Sequence, residues 1–517
     1  MIDPAAGSGG KKRRLAMKHS TVKSVVAFIL AAMLTVALFC SCSDKNQQGG
    51  DTTSGQPGGT TAEAVVTTED TSYLYDKDGY LKDLIPDDLT FEGTVIRELI
   101  WDDDSTPEFG ITESQEDIVK DSVYRRNKKV EERLKVTLEE VGTPGNSSHR
   151  QDFLNTATTA AAGGDIYDIY ASYAMSTTLC AYNGLCRDLL EYSIIDFSKP
   201  WWPENLTKEA TIRGKLYYAS GDVSHSLVNN LYGIFFNKDI LSTYKLEDVY
   251  ALIKNNNWTF AKYFELSQAI NTDPNSANPV YGCSFPSKTY TDAFFYAAGL
   301  HTTDHNEDGS IKLSETFNSE RTVNVCSELW DFLHSNVAIL ADSKIALFTA
   351  ESALFSVITL NYGKYLPSVT FSYGIAPMPK YTADQADYST CVANAFTMYA
   401  ITSSGVNPDA SAAVIECLAS EGYRTITPMV FEVTMKAKRS EEPNAANSYD
   451  IVRRTASFDF GKLNGPAFSN LTYSIFRTNI TADNKNAFST DFAAKEDTLK
   501  KSVEDVNTVY GTGKAAS

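Results

Sequence analysis

The chain has 517 residues, enough for two or three domains, and a formal charge of −19 at pH 7. Residues before Cys42 hold six Lys/Arg and one acid, a net of +5, so the remainder stands at −19 − 5 = −24. A body so acidic argues against nucleic acid or anionic lipid as a partner, and 43% hydrophobic with 11% aromatic content calls for a globular core.

In chain order, residues 1–42 read as a targeting segment with an N-terminal extension before Met17. Lys11–Arg14, Lys18 and Lys23 are its basic region. Val25 to Cys40 is an apolar run of about 16 residues, the length of a signal core rather than a membrane span. It ends Cys40-Ser41-Cys42, which resembles a lipobox and implies lipidation at Cys42. Residues 43–72, rich in Gly, Thr, Gln, Asp and Ser, read as a flexible tether.

The folded body opens with a strand over Thr94–Ile100 and a loop beginning Trp101-Asp102-Asp103-Asp104. A charged helix over Ile118–Leu134, a strand over Val136–Val141 and an Ala/Thr-rich helix over Arg150–Gly164 follow. Three strand-length apolar bursts come next: Ile166–Tyr170, Lys215–Ala219 and Leu231–Phe236. Helices are expected over Val249–Lys254, Phe260–Ile270 (capped by Thr259), Tyr290–Ala298, Thr322–Leu333, Pro408–Ser420 and Lys485–Val509. Strands are expected over Tyr373–Pro379 and Cys391–Ile401. Strands alternating with helices imply an α/β fold whose ligands gather at the strand carboxyl ends. Ser172, Tyr173, Trp201, Trp202 and Asn230 follow those strands. Aromatic faces with amide and hydroxyl groups suit a neutral polar ligand such as a sugar.

Tyr167-Asp168-Ile169, Leu185…Asp188-Leu189, Gly214-Lys215-Leu216-Tyr217, Phe236-Asn237-Lys238-Asp239-Ile240-Leu241 and Asn257-Trp258-Thr259 appear in that order. Together they resemble the solute-binding lipoproteins of bacterial ABC importers, the group that includes maltodextrin-binding proteins. The resemblance covers roughly residues 88 to 480 and implies a two-lobed periplasmic-binding-protein fold, type II-like, with a hinge and an interlobe cleft. Lobe 1 would be 88–229 plus 390–430 and lobe 2 would be 230–389 plus 431–517, with crossings near Asp222–Asn230, Ser372–Cys391 and Met429–Glu432. It also implies ligand contacts at Asp103 and Asp104 after the first strand, at Tyr290, and at Glu351 and Ser352 in a turn leading into a helix. Phe468–Tyr473 would reach the cleft from the C-terminal side.

The implied partners are a small carbohydrate and the importer's membrane permease, with the membrane touched only through the lipid anchor and the receptor expected to be a monomer. The implied place is the outer face of the bacterial cytoplasmic membrane. No cofactor is expected. Asp304, Asn306, Asp308, Gly309 and Glu315 fit a calcium-loop spacing, but Ile311–Leu313 reads as a strand and Asn-x-Asp-Gly is also a hairpin turn. Neither a zinc-protease pair among the six histidines nor a nucleophile elbow is present, and carboxylates are too plentiful to exclude a glycosidase pair by counting; that no enzyme activity is expected follows from the resemblance. The alternatives are a receptor for a peptide or polyol, a secreted glycoside hydrolase, and an adhesion protein. Cys180 and Cys186 are near enough in sequence for a disulfide, or serve as buried apolar residues.

Overall fold

The computed structural model describes residues 74–103, 108–163, 167–430, 443–485 and 487–512. The targeting segment, the tether, Cys42 and Asp104 lie outside the described residues. No described helix is long and apolar enough to cross a membrane.

The strands β1 (Thr94–Trp101), β2 (Val136–Thr143) and β3 (Ile169–Tyr173) precede the first chain crossing. After it come β4 (Tyr232–Asn237), β5 (Tyr281–Ser284), β6 (Ala338–Ile339), β7 (Ala353–Thr359) and β8 (Tyr373–Ala376), and β9 (Thr397–Ile401) returns. The helices that matter for the site are α1 (Ile118–Leu134), α2 (Arg150–Gly163), α3 (Ala174–Tyr182), α4 (Asp292–Ala297), α5 (Glu320–Leu333), α6 (Pro408–Glu421), α7 (Leu471–Thr481) and α8 (Glu496–Thr512).

Two larger sheets, one per lobe, have the orders β9-β3-β1-β2 and β8-β4-β7-β5-β6, beside two two-stranded pairs among the described residues. In lobe 1, β1 runs parallel to β2 and β3, and β9 is antiparallel to β3 with Thr397 opposite Tyr173. Trp101, Thr143, Tyr173 and the first residue of β9 therefore share one end of that sheet. In lobe 2, β5 and β7 are parallel and β4 is antiparallel to β7, with Tyr232 opposite Thr359. Ser284, Thr359 and the start of β4 share one end. The crossings feed β9 and β4 into the two sheets at these ends, so the carboxyl ends of the parallel strands lie next to the crossings, where ligands of α/β layers gather. Strands β3, β4, β7 and β9 are buried along their whole length, the mark of strands covered on both faces.

Local chemistry sets the element ends. Asp117 caps α1 by accepting from the Val119 and Lys120 amides at 2.9 and 3.0 Å, and Lys135 stops it in the left-handed region. Asn237 caps the turn after β4 in the same way, accepting from Asp239 and Ile240 at 2.9 Å each.

The first crossing, near Asp222–Leu231, pairs with the second, near Cys391–Phe396. Leu231 bridges Val392, and the Ala393 amide donates to the Asn230 carbonyl at 2.8 Å. The third runs between α6 with its short continuation to Val430 and a helix beginning at Pro443; residues 431–442 lie outside the described residues.

Several sequence expectations change. Lys215–Ala219 is not a strand of either sheet: it touches β9 by one bridge, Ala219 to Tyr399. Cys180 and Cys186 are buried free thiols. The C-terminal segment, expected with lobe 2, packs on both lobes. In α7, Phe476 meets Phe295 of lobe 2 at 5.0 Å, while Asn464 donates to the Tyr218 hydroxyl of lobe 1 at 2.8 Å and Tyr510 of α8 meets Tyr217 at 5.4 Å.

Residues 303–313 form an antiparallel hairpin. Its turn needs Gly309 at φ +75°, and Asp308 and Asn306 spend their side chains on Ser310 within the turn. Among the described residues no three His, Cys, Asp or Glu side chains converge to hold a metal ion.

Candidate functional site

The two sheet ends next to the crossings each carry a group of aromatic side chains. In lobe 1, Trp101 ends β1 and Tyr173 ends β3. Their rings lie 5.8 Å apart and, with Met175, form a small cluster separate from the main core, against which Phe109 and Tyr473 pack. The Trp101 indole donates to Thr397 Oγ1 at 3.0 Å, which fixes the ring plane. Tyr173 is 7% exposed, and burial pushes its phenol up to about 12.

Tyr473 comes from α7, and one turn on the same helix brings Arg477 over its ring at 5.0 Å. Arg477 holds Asp292, the first residue of α4, as a fork. Nε donates to Oδ1 at 2.8 Å and Nη2 to Oδ2. Burial raises the Asp292 carboxyl above its usual range, and Arg477 opposes that rise. In lobe 2, Tyr232 meets Tyr290 at 5.6 Å, Tyr290 meets Tyr362 at 5.9 Å, and Tyr362 meets Tyr365 at 5.6 Å. These tyrosines come from the start of β4, the turn after β5 and the segment after β7, at the lobe 2 sheet end next to the crossings. Rings interleaved with a charged pair and hydroxyls can cover the flat faces of a ligand while directing hydrogen bonds to its edge.

Of the residues picked from sequence, Tyr173 and Tyr290 stand in these groups. Asn230 belongs to the hinge: its amide donates to the Ser226 and Ala395 carbonyls at 2.9 and 2.7 Å. Asp103 sits beside the cleft but is occupied. It accepts from the Gly145 and Asn146 amides at 2.5 and 2.7 Å and contacts His149. Burial would raise its pKa, but these hydrogen bonds outweigh burial and hold it below the usual value.

Ser172 points into the core, 2.8 Å from Thr177. Trp201 and Trp202 are core residues, 0% and 3% exposed. Both indoles donate to Glu416 of α6, at 3.0 and 2.9 Å, so neither face is offered to a ligand. Glu351 and Ser352 lie at the amino end of β7, away from the cleft, because here the short helix precedes the strand. Ser352 accepts from the Tyr281 amide at 2.9 Å at that far end.

Sequence reasoning missed Trp101, Tyr232, Tyr362, Asp292 and Arg477 as site residues. Trp101 and Tyr362 each end or follow a parallel strand, and that position was the available signal. Glu108 was missed too. It is 2% exposed and accepts from Ser224 Oγ at 2.7 Å, Ser226 Oγ at 3.0 Å and Thr397, tying the loop after β1 to the first crossing.

No family model and no curated protein sequence matches the chain. Solved structures do. A cyclic α-maltosyl-1,6-maltose binding protein from Arthrobacter globiformis aligns with 80% of this chain and 100% of its own, at 14% identity and a TM-score of 0.55. UgpB from Mycobacterium tuberculosis, solved with glycerophosphocholine, aligns with 78% of this chain and 98% of its own, at 13% identity and 0.52. An ABC substrate-binding protein from Listeria monocytogenes, solved with cycloalternan, aligns with 81% of this chain and 99% of its own, at 15% identity and 0.51. At such identities the likeness is one of fold. The chain has the two-lobed α/β fold of the periplasmic binding proteins.

Proposed function

We propose that the chain is the substrate-binding component of an ABC importer that captures an uncharged oligosaccharide between its lobes and delivers it to a membrane permease. The observation that carries this reading is the pair of aromatic groups, Trp101, Tyr173 and Tyr473 at the lobe 1 sheet end and Tyr232, Tyr290 and Tyr362 at the lobe 2 sheet end. Trp101 is 3% exposed and packed against Tyr173, Met175, Phe109 and Tyr473, and in this reading a parting of the lobes is what gives a ligand access to these rings. Closure gains its contacts only with ligand present, which shifts the population towards the closed form. Two of the three neighbouring structures carry cyclic glucosides in their names, which supports the carbohydrate class, while UgpB was solved with glycerophosphocholine. A lipid on Cys42 would hold the receptor at the outer face of the membrane, with residues 43–72 as its tether.

The test is a thermal-shift screen of the purified protein against neutral mono- and oligosaccharides. A sugar at 100 times its dissociation constant adds about 2.7 kcal/mol, a shift of a few degrees. A hit recovered chemically unchanged supports a receptor; turnover of the hit, or no shift across the panel, contradicts it.

A further inference from the structure

We infer that Asp292 fixes what the Arg477 position accepts: by occupying the Arg477 fork from within, it leaves that position to uncharged sugars and closes it to uronates. The inference rests on the carbohydrate reading above. An arginine in a sugar cleft is ordinarily an invitation to a carboxylate, because its planar fork matches two carboxylate oxygens and its charge cannot be titrated away. Here the fork is already filled from within. Nε and Nη2 both go to Asp292, while Nη1 has no hydrogen-bond partner among the described residues.

The two members of the pair differ in access. The Arg477 side chain is 24% exposed and the Asp292 side chain 8%, so the guanidinium is what a ligand meets and the carboxylate stands behind it. A single donor on a neutralised cation suits a hydroxyl oxygen. It offers a carboxylate neither a second parallel hydrogen bond nor a net charge. The stacking of Arg477 on Tyr473, at 5.0 Å, keeps the donor at the edge of the lobe 1 aromatic group rather than above it. Arg150, the first residue of α2, is a further cation at these rings, acting on both Tyr173 and Tyr473, whereas Lys462 is spent on the Val392 carbonyl and on Asn394 Oδ1 at 3.2 Å.

Asp292 thus acts through Arg477 as a positioning and neutralising residue. Removing its charge while keeping its shape should free the fork.

The experiment is calorimetric titration of the wild type, Asp292→Asn and Asp292→Glu with a panel of neutral gluco-oligosaccharides of two to seven units and with trigalacturonate. The wild type is expected to ignore trigalacturonate, and its affinity for any neutral sugar it binds should change less than two-fold between 50 and 500 mM NaCl. Asp292→Asn should bind trigalacturonate at least ten-fold more tightly than the wild type, with affinity falling as salt rises. Asp292→Glu should keep the wild-type preference, which a merely structural role for Asp292 would not predict.

No gain of uronate binding in a folded Asp292→Asn protein overturns the inference. So does wild-type binding of trigalacturonate, a result that stands even if the variant fails to fold. If the wild type binds no neutral sugar, the carbohydrate reading fails on its own. The uronate arm still decides the role of Asp292, since a gain supports it and no gain overturns it.

Discussion

Replacing Glu416 with alanine should destabilise lobe 1 strongly, although the residue lies in the middle of α6 and touches no ligand. Its two carboxyl oxygens accept from the Trp201 and Trp202 indoles at 3.0 and 2.9 Å, and both rings are essentially closed to solvent. Alanine leaves two buried N–H donors without partners. Each such donor costs about 1–3 kcal/mol, so the pair amounts to roughly 2–6 kcal/mol. For a body of roughly 400 residues, a loss of about 4 kcal/mol lowers the melting temperature by about 5 °C. Glutamine keeps one acceptor and turns an amide donor towards the other indole, so it should cost about half as much. Differential scanning calorimetry gives the order wild type, Gln, Ala. Two further signals should accompany the alanine variant: a red shift in tryptophan emission and faster acrylamide quenching. An alanine variant within about 1 kcal/mol of the wild type, or a glutamine variant as unstable as alanine, would refute the view that these tryptophans are held by Glu416.

The remaining predictions concern pH, calcium and the cleft. Burial raises both Glu416 and Glu98 from the ordinary 4.5 to about 8, in Glu98 with help from Glu140. Each binds its proton more tightly folded than unfolded, so the stability it contributes is complete below pH 4.5 and is lost as pH rises through 8. Melting temperature should therefore fall across that window, and Glu416→Gln should flatten part of the fall; a flat wild-type profile would contradict this. Calcium and EDTA should each leave the melting temperature within about 1 °C of the untreated protein, because the 304–310 turn uses its own side chains. A calcium-dependent rise would restore the metal reading. Trp101→Ala and Tyr473→Ala should each weaken binding of a sugar found in the screen by roughly ten-fold, about the worth of one aromatic face, with the fold kept by far-ultraviolet circular dichroism.

The parts of the fold that could be read from sequence are those with local causes. Helix α1 announces itself by Asp117 at its cap and a stripe of Val123, Arg126, Val130 and Leu134. Burial alternates over Val95–Glu98 of β1 and Val136–Glu140 of β2, so both read as strands. What could not be read depends on partners far along the chain. Trp201 and Trp202 between two prolines look like a platform, and only Glu416, 215 and 214 residues away, makes them core. Lys344–Leu354 mixes short helix and strand signals, and reversing their order moved Glu351 and Ser352 to the wrong end of β7. Arg477 carries no signal within its own helix until Asp292, 185 residues away, is set beside it.

The most direct test of a closing receptor is an interlobe distance measured with and without sugar. All six described cysteines are buried, so dyes placed at Val406→Cys on lobe 1 and Tyr244→Cys on lobe 2, both exposed, should label selectively in protein lacking residues 1–42. Single-molecule energy transfer across this pair should show a broad distribution that narrows and shortens when a neutral oligosaccharide from the screen is added, with a midpoint matching its dissociation constant. Saturating binding with no change in the distance would contradict capture by hinge closure.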